Sequence, residues 1–95
     1  MKESQIEKLF VKMVQERGGM CLKFISPGMP GVPDRIVLTP SGKLYFIELK
    51  TEIGRMANIQ KWVAEQMRKR GADVRTVYGL GAVKNFVEEV LPREV

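Results

Sequence analysis

Apolar and polar positions follow two distinct periods along this chain, and the switches between them mark seven elements. Ile6, Leu9, Phe10, Met13 and Val14 recur every three or four residues, the stripe of an amphipathic helix, which predicts a helix over 4–16. Ser4 followed by Glu7 fits a capping box at its start, and Gly18-Gly19 ends it. Residues 20–25 alternate, with aromatic and β-branched content, as a short strand does. Three of the five prolines then fall within 26–33. Proline fixes φ, so this segment reads as a stiff loop and not as a linker. Strands over 34–39 and 44–50 flank the turn Pro40-Ser41-Gly42 and pair as a hairpin.

After a polar connection, a helix over 57–70 turns Ile59, Trp62, Val63 and Met67 inward, with Gly71 as its stop. That spacing assigns Trp62 to the core and not to a base-stacking platform. A strand over 73–78 follows, then a turn bracketed by Gly79 and Gly81. The last helix carries Ala82, Val83, Phe86, Val87, Val90 and Leu91 on one face. The order α-β-β-β-α-β-α predicts an α/β (α+β) fold with a mixed central sheet and helices packed on it. Residues 1–95 form one domain.

Composition narrows the chemistry. The chain has no histidine, which removes Ser-His-Asp and Cys-His catalysis and imidazole metal sites. One cysteine, Cys21, excludes an internal disulfide and a multi-thiolate zinc site. No apolar run approaches a membrane span, so a cytoplasmic location is expected. Sixteen Lys and Arg against eleven Asp and Glu give a net charge of +5, which favours a polyanionic partner, most simply nucleic acid.

The candidate chemistry lies on the hairpin. Glu48 and Lys50, two residues apart on one strand, project to the same face. With a three-residue loop, Thr39 opposes Lys43, and carrying that register down the strands sets Asp34 opposite Glu48. Opposed residues point to the same side, with Cβ atoms about 4.5–5.5 Å apart. Two carboxylates held together repel unless something neutralises them, and a hard divalent cation does so. Oxygen ligands suit Mg²⁺ or Mn²⁺. Such an ion beside Lys50 is equipped for phosphodiester hydrolysis.

The segments Gly31-Val32-Pro33-Asp34-Arg35-Ile36-Val37-Leu38 and Phe46-Ile47-Glu48-Leu49-Lys50, with the loop Pro27-Gly28-Met29-Pro30-Gly31, resemble the PD-(D/E)XK nuclease superfamily. More narrowly they resemble its VRR-NUC (virus-type replication-repair nuclease) domain in the stand-alone, phage-type form. The resemblance spans nearly the whole chain and implies a restriction-endonuclease-like αβββαβ core with a C-terminal helix. It implies a metal-dependent DNA endonuclease acting on branched DNA such as four-way (Holliday) junctions, working as a homodimer with no small-molecule cofactor. Cutting two strands symmetrically needs two sites related by a two-fold axis, and the last helix is one candidate for the dimer surface.

By the same resemblance, Asp34, Glu48 and the main-chain carbonyl of Leu49 hold the metal, and Lys50 is the catalytic lysine. Glu7 assists from the first helix, as a further metal ligand or through a bound water, and Gln60 supports the site from the second. Glu7 thus carries two readings, cap and site. The segment Thr51-Glu52-Ile53-Gly54 departs from the Ala-Pro-Gly-like stretch frequent in the family. Lys23, Arg35, Arg55, Lys61, Arg68, Lys69 and Arg70 are the candidates for gripping phosphates. Two alternatives stay open: an archaeal-type resolvase or nickase of the same superfamily, and a basic module that binds DNA without cutting it.

Overall fold

A computed structural model describes residues 1–93. Its elements run α1 (Glu3–Glu16), β1 (Met20–Lys23), β2 (Arg35–Leu38), β3 (Leu44–Lys50), α2 (Asn58–Lys69), β4 (Val74–Tyr78) and α3 (Gly79–Val90). The four strands form one sheet in the order β1-β2-β3-β4. β1, β2 and β3 pair antiparallel, and β4 joins β3 in parallel after the α2 crossover. The mixed sheet expected from the element order is therefore present. None of the described helices is long and apolar enough to cross a membrane.

The hairpin register follows from its loop. The Thr39 amide donates to the Lys43 carbonyl (2.9 Å) and the Gly42 amide donates to the Thr39 carbonyl (2.9 Å). The buried Thr39 hydroxyl accepts from the Lys43 amide at 3.0 Å. Gly42 takes the left-handed conformation (φ 88°) that a three-residue hairpin loop requires. Arg35 then pairs with Ile47 and Val37 with Tyr45, the register predicted from the loop length.

Alternation gives the sheet two unlike faces. Val37, Tyr45, Ile47, Leu49 and Val77 point to one side, where α1 and α3 cover them with Ile6, Phe10, Val14, Val83, Phe86 and Leu91. This is the core. On the other side lie Ile36, Leu38, Phe46 and Glu48, and there α2 covers only part of the sheet with Val63 and Ala64.

Four sequence-based expectations are corrected. Helix α1 starts before Ser4: Lys2 is its N-cap residue, and its amide donates to Gln5 Oε1 at 2.8 Å. Gln5, not Glu7, therefore supplies the capping carbonyl, and Glu7 sits a full turn inside the helix. Gly79 and Gly81 are not a turn but the first turn of α3. Strand β1 ends at Lys23, two residues early, because the chain turns into the Pro/Gly loop. Trp62 and Ile59 are not core: they are 54% and 45% exposed, because α2 turns Val63 and Ala64, not the tryptophan edge, onto the sheet.

Candidate active site

Three elements converge on Glu48. Strand β3 carries it through the sheet with 2% of its surface exposed, which is costly for an ionised carboxylate unless paired. The ladder register continued one step past Arg35–Ile47 sets Asp34 across from it. The Asp34 backbone is pinned there by a hydrogen bond from the Phe24 amide to its carbonyl (2.8 Å). The Pro/Gly loop delivers Asp34 to this point. Gly31 in that loop has φ 86°, and a Cβ there would lie 2.8 Å from Ile59 Cγ1 and 3.0 Å from the Ile59 carbonyl oxygen. The loop backbone is thus seated directly on the start of α2.

Lys50 Nζ lies 3.6 Å from Glu48 Oε2 and is largely buried. Gln60 Nε2 donates to the same oxygen at 3.3 Å, while Gln60 Oε1 accepts from the Ala57 amide at 2.9 Å, the N3 half of a capping box on α2. Glu48 Oε1 is buried with no hydrogen-bond partner. Burial first, and then the neighbouring charge of Asp34, push the Glu48 carboxyl up to about 7 against the pull of Lys50.

This donor set fits a hard divalent cation. One buried carboxylate oxygen has no donor, a second carboxylate faces it across the ladder, and an ammonium stands beside them. No third acidic residue or cysteine joins into a metal-binding group among the described residues. Mg²⁺ commonly uses one or two carboxylates and completes its shell with water and substrate oxygens.

The remaining candidates are divided by the sheet. Glu7 is not brought to the carboxylate pair. Its oxygens lie 3.2 Å from Arg35 and 3.7 Å from Lys23, and both partners point to the α1 face, opposite to Glu48. The spacing placed Glu7 at the border of the apolar stripe without revealing that two cations wait there. Glu3, one turn earlier, was missed: it is the α1 acid whose charge raises the Glu48 carboxyl. The only signal for it was its place in the first turn.

Several predicted phosphate contacts have partners within the chain, Lys23 with Glu7 among them. Arg68 donates through Nε and Nη2 to the Val74 carbonyl (3.0 and 2.9 Å), and Arg35, 16% exposed, is held by Glu7. Arg70 donates to Gln66 on its own helix. Arg55 and Lys61 are exposed on segments flanking Gln60, and Lys69 is exposed at the end of α2 with Glu65 3.5 Å away.

No family model matches the chain. A phage protein named "Putative nuclease p44", from Acyrthosiphon pisum secondary endosymbiont phage 1, is 50% identical over 50 residues, which is 53% of this chain and 54% of that protein. The match thus spans about half the length of that relative. A solved structure described as a VRR_NUC domain superposes with a TM-score of 0.84 at 31% identity, over 90% of this chain and 94% of that one. With shared sequence as well as shared fold across almost the full length of both chains, this chain belongs to the VRR_NUC domain family.

Proposed function

We propose that the protein is an Mg²⁺- or Mn²⁺-dependent endonuclease that hydrolyses phosphodiester bonds in DNA, acting on branched forms such as four-way junctions as a homodimer. The observation that carries this reading is the unpartnered, buried Oε1 of Glu48, opposed by Asp34 and flanked by Lys50. Asp34, Glu48 and the Leu49 carbonyl are the proposed metal ligands. An ion held there would supply Lewis acidity toward a phosphoryl oxygen and acidify the attacking water.

The chain's own residues do the rest. Lys50 places its ammonium where negative charge grows on the phosphate and where the attacking water must be held. Gln60 fixes the Glu48 carboxylate by donating to one oxygen, which leaves the other free as a ligand. Arg55, Lys61 and Lys69 are the proposed phosphate contacts outside the reacting centre. The substrate class rests on the net charge of +5, family membership and the relative's name.

Incubation with plasmid and four-way-junction DNA in Mg²⁺ or Mn²⁺ tests the reading. Nicks that EDTA prevents, and that Lys50→Ala and Glu48→Ala abolish, are expected. Binding without cutting by the wild type would instead identify a DNA-binding module. Equal cutting of linear duplex and junction would retire the branched-substrate part alone.

A further inference from the structure

Helical spacing assigns Trp62 to the core, yet the indole stands 54% exposed, and Met29 beside it is 46% exposed. These two with Val63, Gln66, Met67 and Arg70 line a groove of about 310 Å³. Met29 belongs to the Pro/Gly loop, and the rest belong to α2 and its C-cap residue Arg70. The same two elements build the active site: the loop delivers Asp34, and α2 holds Glu48 through Gln60. Gly31, packed on the Ile59 backbone, joins loop to helix, so the walls of the groove are fixed to each other.

Cations flank this groove. Lys61 and Lys69, next in sequence to Trp62 and Arg70, are exposed, and the one acid of α2, Glu65, lies 3.5 Å from Lys69. Residues 26–33 of the loop carry no charge, and no acid lines the groove. Arg70 Nη1 donates to the main-chain and side-chain oxygens of Gln66 (3.0 and 3.1 Å), which holds its planar guanidinium beside the indole's helix face. Indole and guanidinium both stack on the flat face of a nucleobase, whatever its sequence.

We propose that this groove takes an unpaired nucleobase of DNA, stacked on Trp62. An unstacked base offers a flat apolar face to the indole and the methionines, and its strand brings phosphates to Lys61, Lys69 and Arg70. A second copy of the chain is the wrong occupant, because a self-contact here sets those cations against their own counterparts. A base within a duplex is also the wrong occupant, since its faces are covered by its neighbours. Trp62 is thus a positioning residue. It holds a single-stranded segment against the loop and helix that carry Asp34 and Gln60. The inference rests on DNA being the substrate and adds the form of DNA required, a strand with an unstacked base beside the site.

The chain has one tryptophan, so its emission reads the contact directly. The full chain in EDTA is titrated with a single-stranded oligothymidylate and with an abasic strand of the same length and charge. Strong quenching by the thymidylate and little by the abasic strand are expected. Trp62→Ala should weaken thymidylate binding by about 5- to 150-fold and leave abasic binding unchanged, and Trp62→Phe should restore most of the loss. Circular dichroism checks that the variants fold; if Trp62→Ala does not, quenching of the wild type by the two strands still decides. Equal quenching by both strands, no quenching by either, or a folded Trp62→Ala that binds thymidylate as the wild type does would overturn the inference. Emission that shifts with protein concentration alone, before DNA is added, would give the groove to a second copy and overturn it too. No metal is present, so a chain that stacks bases but never cuts would retire the nuclease reading and leave this inference standing.

Discussion

Gln60 ties the start of α2 to Glu48 with one side chain. Its carbonyl oxygen caps Ala57 and its amide nitrogen holds Glu48 Oε2. The two functions separate by substitution. Gln60→Glu keeps an acceptor for the Ala57 amide but sets a second negative charge against Glu48 in place of a donor. Partners of metal-ligating carboxylates are worth about 10–100-fold in metal affinity or activity, so Gln60→Glu should lose cleavage in that range with little change in thermal stability. Gln60→Ala should lose both, with about 0.5–1 kcal/mol coming from the cap. Unchanged cleavage in the glutamate variant would reduce Gln60 to a capping residue.

Two acids of α1, Glu7 and Glu3, make opposite predictions. Glu7 neutralises Arg35 and Lys23 on the core side of the sheet, and the Arg35 Nε is already buried without a partner. Glu7→Gln removes the countercharge from a cation that is only 16% exposed, so it should destabilise the fold by about 1–2 kcal/mol. Metal-dependent cleavage should stay close to that of the wild type. Glu3→Gln should leave stability unchanged, since Glu3 is exposed, yet shift the metal concentration needed for half-maximal cleavage, since its charge is felt at Glu48. A cleavage defect confined to Glu7→Gln would reverse this assignment.

Much of this site was legible before any coordinates. The opposition of Asp34 and Glu48 is a local consequence of a three-residue loop, and local rules are what a sequence carries most plainly. Placement of α1 was not local. Whether Glu3 or Glu7 serves the site depends on how the helix is set on the sheet, and apolar spacing defines a stripe about 100° wide, not a rotation within it. The Trp62 assignment failed for a related reason. Helical spacing groups residues by face, but the part of a sheet a short helix covers is a tertiary property, and here α2 covers too little to bury its whole apolar side.

Gly31 and Gly42 both have positive φ, 86° and 88°, yet they should respond differently to alanine. At Gly42 a Cβ meets nothing within 4 Å, so the cost is conformational alone, on the order of 1 kcal/mol. Cleavage by the folded fraction should be normal. At Gly31 the same conformational cost is joined by a clash with the Ile59 backbone. Relief requires the Pro/Gly loop to lift off α2, and that loop delivers Asp34. Gly31→Ala should therefore lower both the melting temperature and the cleavage rate at saturating metal. Equal rates for the two variants would mean that the loop does not set the position of Asp34.

The raised Glu48 carboxyl predicts how stability varies with pH in the absence of metal. Its value in the folded protein is about 7, against 4.5 for an unperturbed glutamate, so the folded state holds this proton more tightly than the unfolded chain. The resulting stabilisation is complete below about pH 4.5 and is lost as pH rises through 7. Glu48→Gln, neutral at every pH, retains it. In EDTA the variant and the wild type should have similar stability near pH 4.5, and at pH 8 the variant should be the more stable by on the order of 3 kcal/mol. Adding Mn²⁺ at pH 8 should close the gap by raising the melting temperature of the wild type alone, because only the carboxylate exchanges its buried charge for a ligand bond. Denaturation curves at the two pH values, with and without the ion, measure both effects. A wild type as stable as Glu48→Gln at pH 8 in EDTA would show that Lys50 already compensates the charge, and the drive to recruit a cation would be gone.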